Sequence, residues 1–116
     1  MLAFKNRFHG HGSLKYVYKN GTAVRHRLMS IKHTTHPRRK EPRVAVVVSK
    51  KVVKSAVARN RIRRRVYEAV RLELPNIQPS KDIILIVFSS EIQTIGHDEL
   101  TSTIKYLFDE AGIYNK

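Results

Sequence analysis

Two short runs of mainly β-branched residues fix the frame for the rest of this chain. They are Val44-Ala45-Val46-Val47-Val48 and Ile83-Ile84-Leu85-Ile86-Val87-Phe88. A run that is apolar at every position has no solvent face, so each reads as a strand covered on both sides or lying centrally in a sheet. Between them, from about Ala56 to Leu74, Ile62, Val66, Ala69 and Val70 form one apolar stripe at helical spacing. Ser55 is placed to cap that helix and Pro75 to stop it. The longer apolar run is six residues, far below the ~20 needed to span a bilayer, so no transmembrane segment is expected.

The flanking segments complete the pattern. Leu14, Val17 and Tyr18 at i, i+3 and i+4 predict a short helix with Ser13 as its cap. Asn20-Gly21 should end it, with glycine in the left-handed conformation. Residues 22–33 predict one strand or two short ones. His33 to Pro42, with two prolines and Arg38-Arg39-Lys40, predicts an exposed loop. Asn76 to Ser80 reads as a turn. Leu100, Ile104, Leu107, Phe108 and Ala111 give the last helix one apolar face, closed by Gly112. Residues 1–12 are basic and rich in glycine and histidine, and are expected to form a flexible arm. The order is helix, two or three strands, helix, strand, helix. With 116 residues and no internal repeat, a single domain built on one sheet accounts for the whole chain.

Charge is placed unevenly. The net charge is +14, yet residues 1–74 carry +17 and residues 75–116 carry −3. A basic region concentrated in this way points to a polyanion as partner. The centre of that charge is Arg59-Asn60-Arg61-Ile62-Arg63-Arg64-Arg65, five arginines in seven residues on the predicted helix. Arg59 and Arg63, and Arg61 and Arg65, are i, i+4 pairs of like charge, each costing a few tenths of a kcal/mol in an isolated helix. A solvated helix face would alternate signs. Asn60 is a poor helix former whose amide is suited either to fix an arginine or to read a base or a 2′-hydroxyl. Arginine forks match ordered phosphates. A membrane-surface helix would need bulkier apolar anchors than Ile, Val and Ala.

With these residues in place, the chain resembles the protein subunit of bacterial ribonuclease P. The resemblance is carried by Arg43-Val44-Ala45-Val46-Val47-Val48-Ser49-Lys50-Lys51, followed after seven residues by Arg59-Asn60-Arg61-Ile62-Arg63-Arg64. Leu14 to Gly21 is similar to the family's first helix, and Asp82-Ile83-Ile84 to its last strand. The resemblance implies an α/β (α+β) two-layer sandwich of order α-β-β-β-α-β-α with one sheet. The basic helix would make a left-handed crossover, against the general right-handed rule. It implies a ribonucleoprotein that removes the 5′ leader of precursor tRNA endonucleolytically. The RNA subunit is then the catalyst and holds the Mg²⁺. On this chain, contacts to the RNA subunit would fall on Lys50, Lys51, Arg59, Asn60, Arg61, Arg63, Arg64 and Arg65. The single-stranded leader would lie in a cleft marked by Leu14 and Tyr18, where an aromatic can stack on any base. A protein monomer in a one-to-one cytoplasmic complex is implied. The chain departs from the family pattern at Val52-Val53, where glycine often follows Ser-Lys-Lys, and at Lys32-His33, where an aromatic is expected.

No protein active site or metal site is expected. There is no cysteine, and the nine acids are scattered. The adjacent acids Asp98-Glu99 and Asp109-Glu110 read as helix-end residues. The histidine pairs His9/His11 and His33/His36 have no nearby carboxylate to orient them. A ribosomal protein or RNA chaperone would explain charge and size, but not the spacing from Ser-Lys-Lys to the arginine run. A DNA reader would need its basic helix in a helix-turn-helix context that the flanking strands do not supply. A protein-only nuclease lacks the acids.

Overall fold

The computed structural model describes residues 4–8, 11–38 and 40–115. Ten-residue α1 (His11–Asn20) leads into β1 (Thr22–Arg25) and β2 (Met29–Thr35), an antiparallel hairpin. β3 (Arg43–Val48), α2 (Ala56–Glu73) and β4 (Lys81–Val87) follow, and α3 (His97–Glu110) closes the chain. The sheet order is β1-β2-β4-β3: β4 lies between β2, antiparallel, and β3, parallel, so α2 is the crossover between parallel neighbours. This is an α+β fold with one four-stranded mixed sheet and three helices.

Strand alternation sorts the sheet into two faces. Val44, Val46 and Val48 of β3, with Ile83, Leu85 and Val87 of β4, meet Ile62, Val66 and Val70 of α2 and Leu100, Ile104, Leu107 and Phe108 of α3 in one buried core. On the other face Ile84 is fully buried, as is Val17 of α1, and both stand outside that core. α1 packs there, against β2 and β4. Beside α1, Ala45, Val47 and Ile86 remain partly exposed, and register sets Ala45 beside Ile84 and Val47 beside Ile86. This face therefore carries a strip of partly exposed apolar side chains.

The α2 expectations hold in detail. The Ser55 hydroxyl accepts from the Ala58 N–H at 3.2 Å, and the stripe Ile62, Val66, Ala69 and Val70 is buried. Pro75 sits in a 3-10 turn, Leu74–Asn76, directly after the helix. Gly112 has φ 67°, the left-handed stop expected after α3, and Asp98 and Glu99 occupy the first turn of α3.

Elsewhere the structure corrects the sequence reading. α1 begins at His11, so Ser13 lies inside the helix and does not cap it. Gly21 does not adopt a positive φ. It is needed because a Cβ there would lie 2.4 Å from the Val17 carbonyl oxygen. β2 runs through Thr35, which puts His33 in a strand and not in the loop. β3 is an edge strand, not a central one; the Tyr67 hydroxyl accepts from its Val46 N–H at 3.1 Å and covers part of that edge. Of the expected arm 1–12, residues 1–3, 9 and 10 lie outside the described residues. Phe4–Asn6 form a 3-10 turn held by Asn6, whose amide donates to the Pro42 carbonyl at 2.9 Å.

Candidate nucleic-acid interface

The basic end of α2 is built by the turn before it. The Ser49 carbonyl accepts from the N–H groups of Val52 and Val53, both at 3.1 Å, and its hydroxyl accepts from the Lys51 N–H at 3.0 Å. Val53 is buried in the core. No described residue except Gly112 has a positive φ, so Val52 and Val53 serve in this turn without backbone strain. The turn leaves Lys50 and Lys51 exposed beside the start of α2.

The five arginines divide by what they touch. Arg59 Nη1 donates to the carbonyls of Val53 at 3.0 Å and Lys54 at 2.7 Å, tying the helix back to the turn. Arg65 donates from Nη1 to the Ile92 carbonyl and from Nη2 to the Ile95 carbonyl, both at 2.7 Å. It thereby clamps the 3-10 turn Ser90–Gln93, where the chain passes from β4 to α3. Arg63 donates to the Asn60 side-chain oxygen, so the amide does fix an arginine. Arg61 and Arg64 are exposed, and neither they nor Lys50 and Lys51 have a side-chain partner among the described residues. Further along α2, Arg71 and Glu68 are ion-paired, and their hydrogen bond holds the Glu68 carboxyl below its usual range.

Arg63, Arg64, Asn60 and Tyr67 also line a concavity of about 370 Å³ with Val57, an apolar side chain left 66% exposed. An amide, a flat ring and two guanidinium groups therefore share one surface, and Arg64 has no side-chain partner among the described residues. Nucleic-acid interfaces use these groups for phosphate, base edge and base face.

The second predicted surface lies on the face that carries α1. Val17 is its buried anchor; Leu14 is half-buried and Tyr18 is 38% exposed, so Tyr18 is not a core residue. Burial pushes the Tyr18 phenol up, away from ionisation. Lys32 occupies the place where an aromatic was expected. Its ammonium lies 5.5 Å from the Tyr18 ring centroid and donates to the Tyr18 carbonyl at 3.0 Å. A cation there both covers the ring and satisfies a carbonyl in the last turn of α1. Leu14 and Tyr18 share one flank of α1, where Lys32 of β2 meets the Tyr18 ring.

One pair was not anticipated. Arg43 Nε and Nη2 donate to the two carboxylate oxygens of Asp82, at 2.9 and 2.8 Å, with side chains only 7% and 5% exposed. The Phe8 ring packs 4.6 Å below the guanidinium. The signal was present in the sequence: each residue directly precedes an apolar strand run, and parallel pairing in register sets Arg43 opposite Asp82. Among the described residues no three His, Asp or Glu side chains converge as a metal site would need. No described helix is long and apolar enough to cross a membrane.

Comparison with known proteins agrees with this architecture. Residues 2–112 match the sequence model of the family described as Ribonuclease P. The chain is 30% identical over 112 residues to the ribonuclease P protein component of Bacillus velezensis, covering 97% of this chain and 94% of that one. It is 31% identical over 112 residues to that of Clostridium botulinum, covering 96% and 98%. In fold it is similar to the RNase P protein of Staphylococcus aureus, with a TM-score of 0.82 over 95% of this chain and 98% of that one at 24% identity. The RNase P protein of Thermotoga maritima gives 0.78 over 90% and 96% at 20% identity. By the match along nearly its whole length, the chain belongs to the ribonuclease P protein family.

Proposed function

We propose that this protein is the protein subunit of a bacterial ribonuclease P ribonucleoprotein. It binds the RNA subunit through the basic end of α2, and holds the 5′ leader of precursor tRNA between α1 and the sheet for endonucleolytic removal. The observation that carries the reading is the set Lys50 and Lys51, in the turn before α2, and Arg61 and Arg64, on α2: four exposed cations with no side-chain partner among the described residues, in a chain of this family. Asn60 and Arg63 form the adjoining base-reading surface. Arg59 and Arg65, engaged by backbone carbonyls, hold that surface in shape. Tyr18 and Leu14 supply the leader platform, with Lys32 bringing a positive charge toward the leader's phosphates.

Magnesium enters through the RNA subunit in this reading, as the family resemblance implies. The protein's share of the reaction is binding and positioning, as a monomer paired with one RNA in the cytoplasm. The test is reconstitution. The protein is mixed with a bacterial ribonuclease P RNA and labelled precursor tRNA at low Mg²⁺, where the RNA alone works poorly. Restored cleavage at the mature 5′ end, with none from protein alone, supports the subunit reading. Tight RNA binding without stimulation replaces it with a ribosomal or chaperone role.

A salt titration tests the surface itself. Contact with about six phosphates gives a log–log slope of affinity against salt of roughly −4. Replacing Arg61 and Arg64 together with Ala is expected to flatten that slope by roughly 1 to 2 units. An unchanged slope removes this helix from the interface.

A further inference from the structure

A second cleft lies on the opposite flank of α1 from Leu14 and Tyr18. At 100° per residue, Ser13 and Tyr16 project to one side of Val17, and Leu14 and Tyr18 to the other. The cleft holds about 470 Å³ and is bounded by the first turns of α1, the end of β2 and the starts of β3 and β4. That volume is within the range of about 300–1,000 Å³ usual for ligand sites.

Its groups are specific. Tyr16 stands at the rim with 58% of its surface exposed, an aromatic face that no packing role explains. His36 and Pro37 form the facing wall, and the His36 N–H donates to the Ser80 carbonyl at 2.7 Å, fixing that wall to β4. Arg43 lies along the cleft. Its Nε and Nη2 are bound to Asp82, and its Nη1 makes no hydrogen bond among the described residues. Asp82 lines the cleft as well, and a guanidinium paired with a carboxylate does not attract a phosphate strongly. It does present fixed N–H donors to a neutral carbonyl. The hydroxyl of Ser13, which also lines the cleft, both donates and accepts.

We propose that this cleft is a second, separate site for one unpaired nucleobase. The base face stacks on Tyr16, and a ring carbonyl accepts from Arg43 Nη1 within reach of Ser13. Exposed Lys15, Arg38 and Lys40 supply the surrounding attraction for the sugar-phosphate chain. The inference rests on the RNA-binding reading above and adds a site which that reading does not need.

The test uses the full-length protein and a six-nucleotide single-stranded RNA, with a six-unit abasic strand and a free nucleoside monophosphate as comparison probes. Tyr16→Ala is expected to weaken binding of the RNA about tenfold, the loss of one stacked base, with the salt slope unchanged. Tyr16→Phe keeps the ring and retains binding within about twofold, and the abasic strand binds wild type and Tyr16→Ala alike. Tyr16 is exposed, so the variant folds. Tyr16-dependent binding of the free monophosphate assigns the site to a mononucleotide; dependence seen only with the strand assigns it to RNA; both uphold a base site. The proposal is overturned if Tyr16→Ala binds the RNA as wild type does, or if its loss is equal on the abasic strand. Failure of the subunit reading is seen separately, as absence of wild-type binding to ribonuclease P RNA.

Discussion

Arg61 and Arg65 are one helical turn apart and identical in the sequence, yet they face different chemistry. Arg65 bonds two carbonyls of a distant turn, and Arg61 has no side-chain partner among the described residues. Arg65→Ala leaves the carbonyls of Ile92 and Ile95 without their donor, and is expected to cost about 1–3 kcal/mol in urea denaturation. Arg61→Ala should stay within about 0.5 kcal/mol of wild type, while lowering RNA affinity. The reverse assignment would show as a stability loss at Arg61. No local pattern distinguishes these arginines, because the acceptors come from a segment that only the tertiary fold brings near. His33 is a second case. Burial, and then the Lys81 charge, lower its pKa below the ordinary 6.5, and its Nε2 is buried without a partner. The unfolded chain therefore takes up a proton that the folded chain refuses. Stability from this residue is complete above about pH 6.5 and falls as pH drops from there toward the lowered folded value. Melting temperatures measured from pH 7.5 to 5 should fall in wild type, and less steeply in His33→Gln; parallel curves would remove His33 as a cause.

At the scale of elements, the parts with strong periodicity were legible. The α2 stripe, its Ser55 cap, the β4 run and the Gly112 stop all stand where the sequence puts them. What escaped was pairing partner and close approach. β3 is as apolar as a central strand, but it has one strand neighbour among the described residues, and a side-chain hydroxyl from α2 meets part of its other edge. Gly21 looked like a conformational glycine and proved a steric one, since the clash that excludes a Cβ comes from the Val17 carbonyl, and the backbone of His33 lies at 3.3 Å as well. Gly21→Ala should accordingly destabilise by about 1–3 kcal/mol, the usual cost of overpacking. The loss should be local to α1, with lowered hydrogen-exchange protection there and little change in α3. Protection lost evenly through the chain would refute a local clash.

For the whole molecule, charge and fold are laid out along the same line. The region of +17 supplies α1, the hairpin, β3 and α2, and the region of −3 supplies β4, α3 and the tail. The two meet in ion pairs such as Arg27 with Glu91 and Glu99, at 2.7 and 3.1 Å. These exposed pairs contribute little to stability. The candidate interface was therefore legible as a region, from charge and from the spacing of Ser-Lys-Lys to the arginine run. The division of labour within it was not, because that depends on which acceptors the fold brings to each arginine: the turn carbonyls for Arg59, Asn60 for Arg63, and the carbonyls of Ile92 and Ile95 for Arg65.

The position of β4 has a consequence for the order of events during synthesis. It is the one strand bonded to both β2 and β3, yet it is the last strand in the chain. Until it emerges from the ribosome, β1 and β2 form at most an isolated hairpin, which is marginal alone in water, and β3 has no partner. The nascent chain is then an unfolded polycation in a place crowded with RNA. A chain ending at Ser80 is expected to show no cooperative thermal transition, and extension through Glu110 to restore one. If the shorter chain melts cooperatively, a sheet forms without its centre and this order of assembly is wrong.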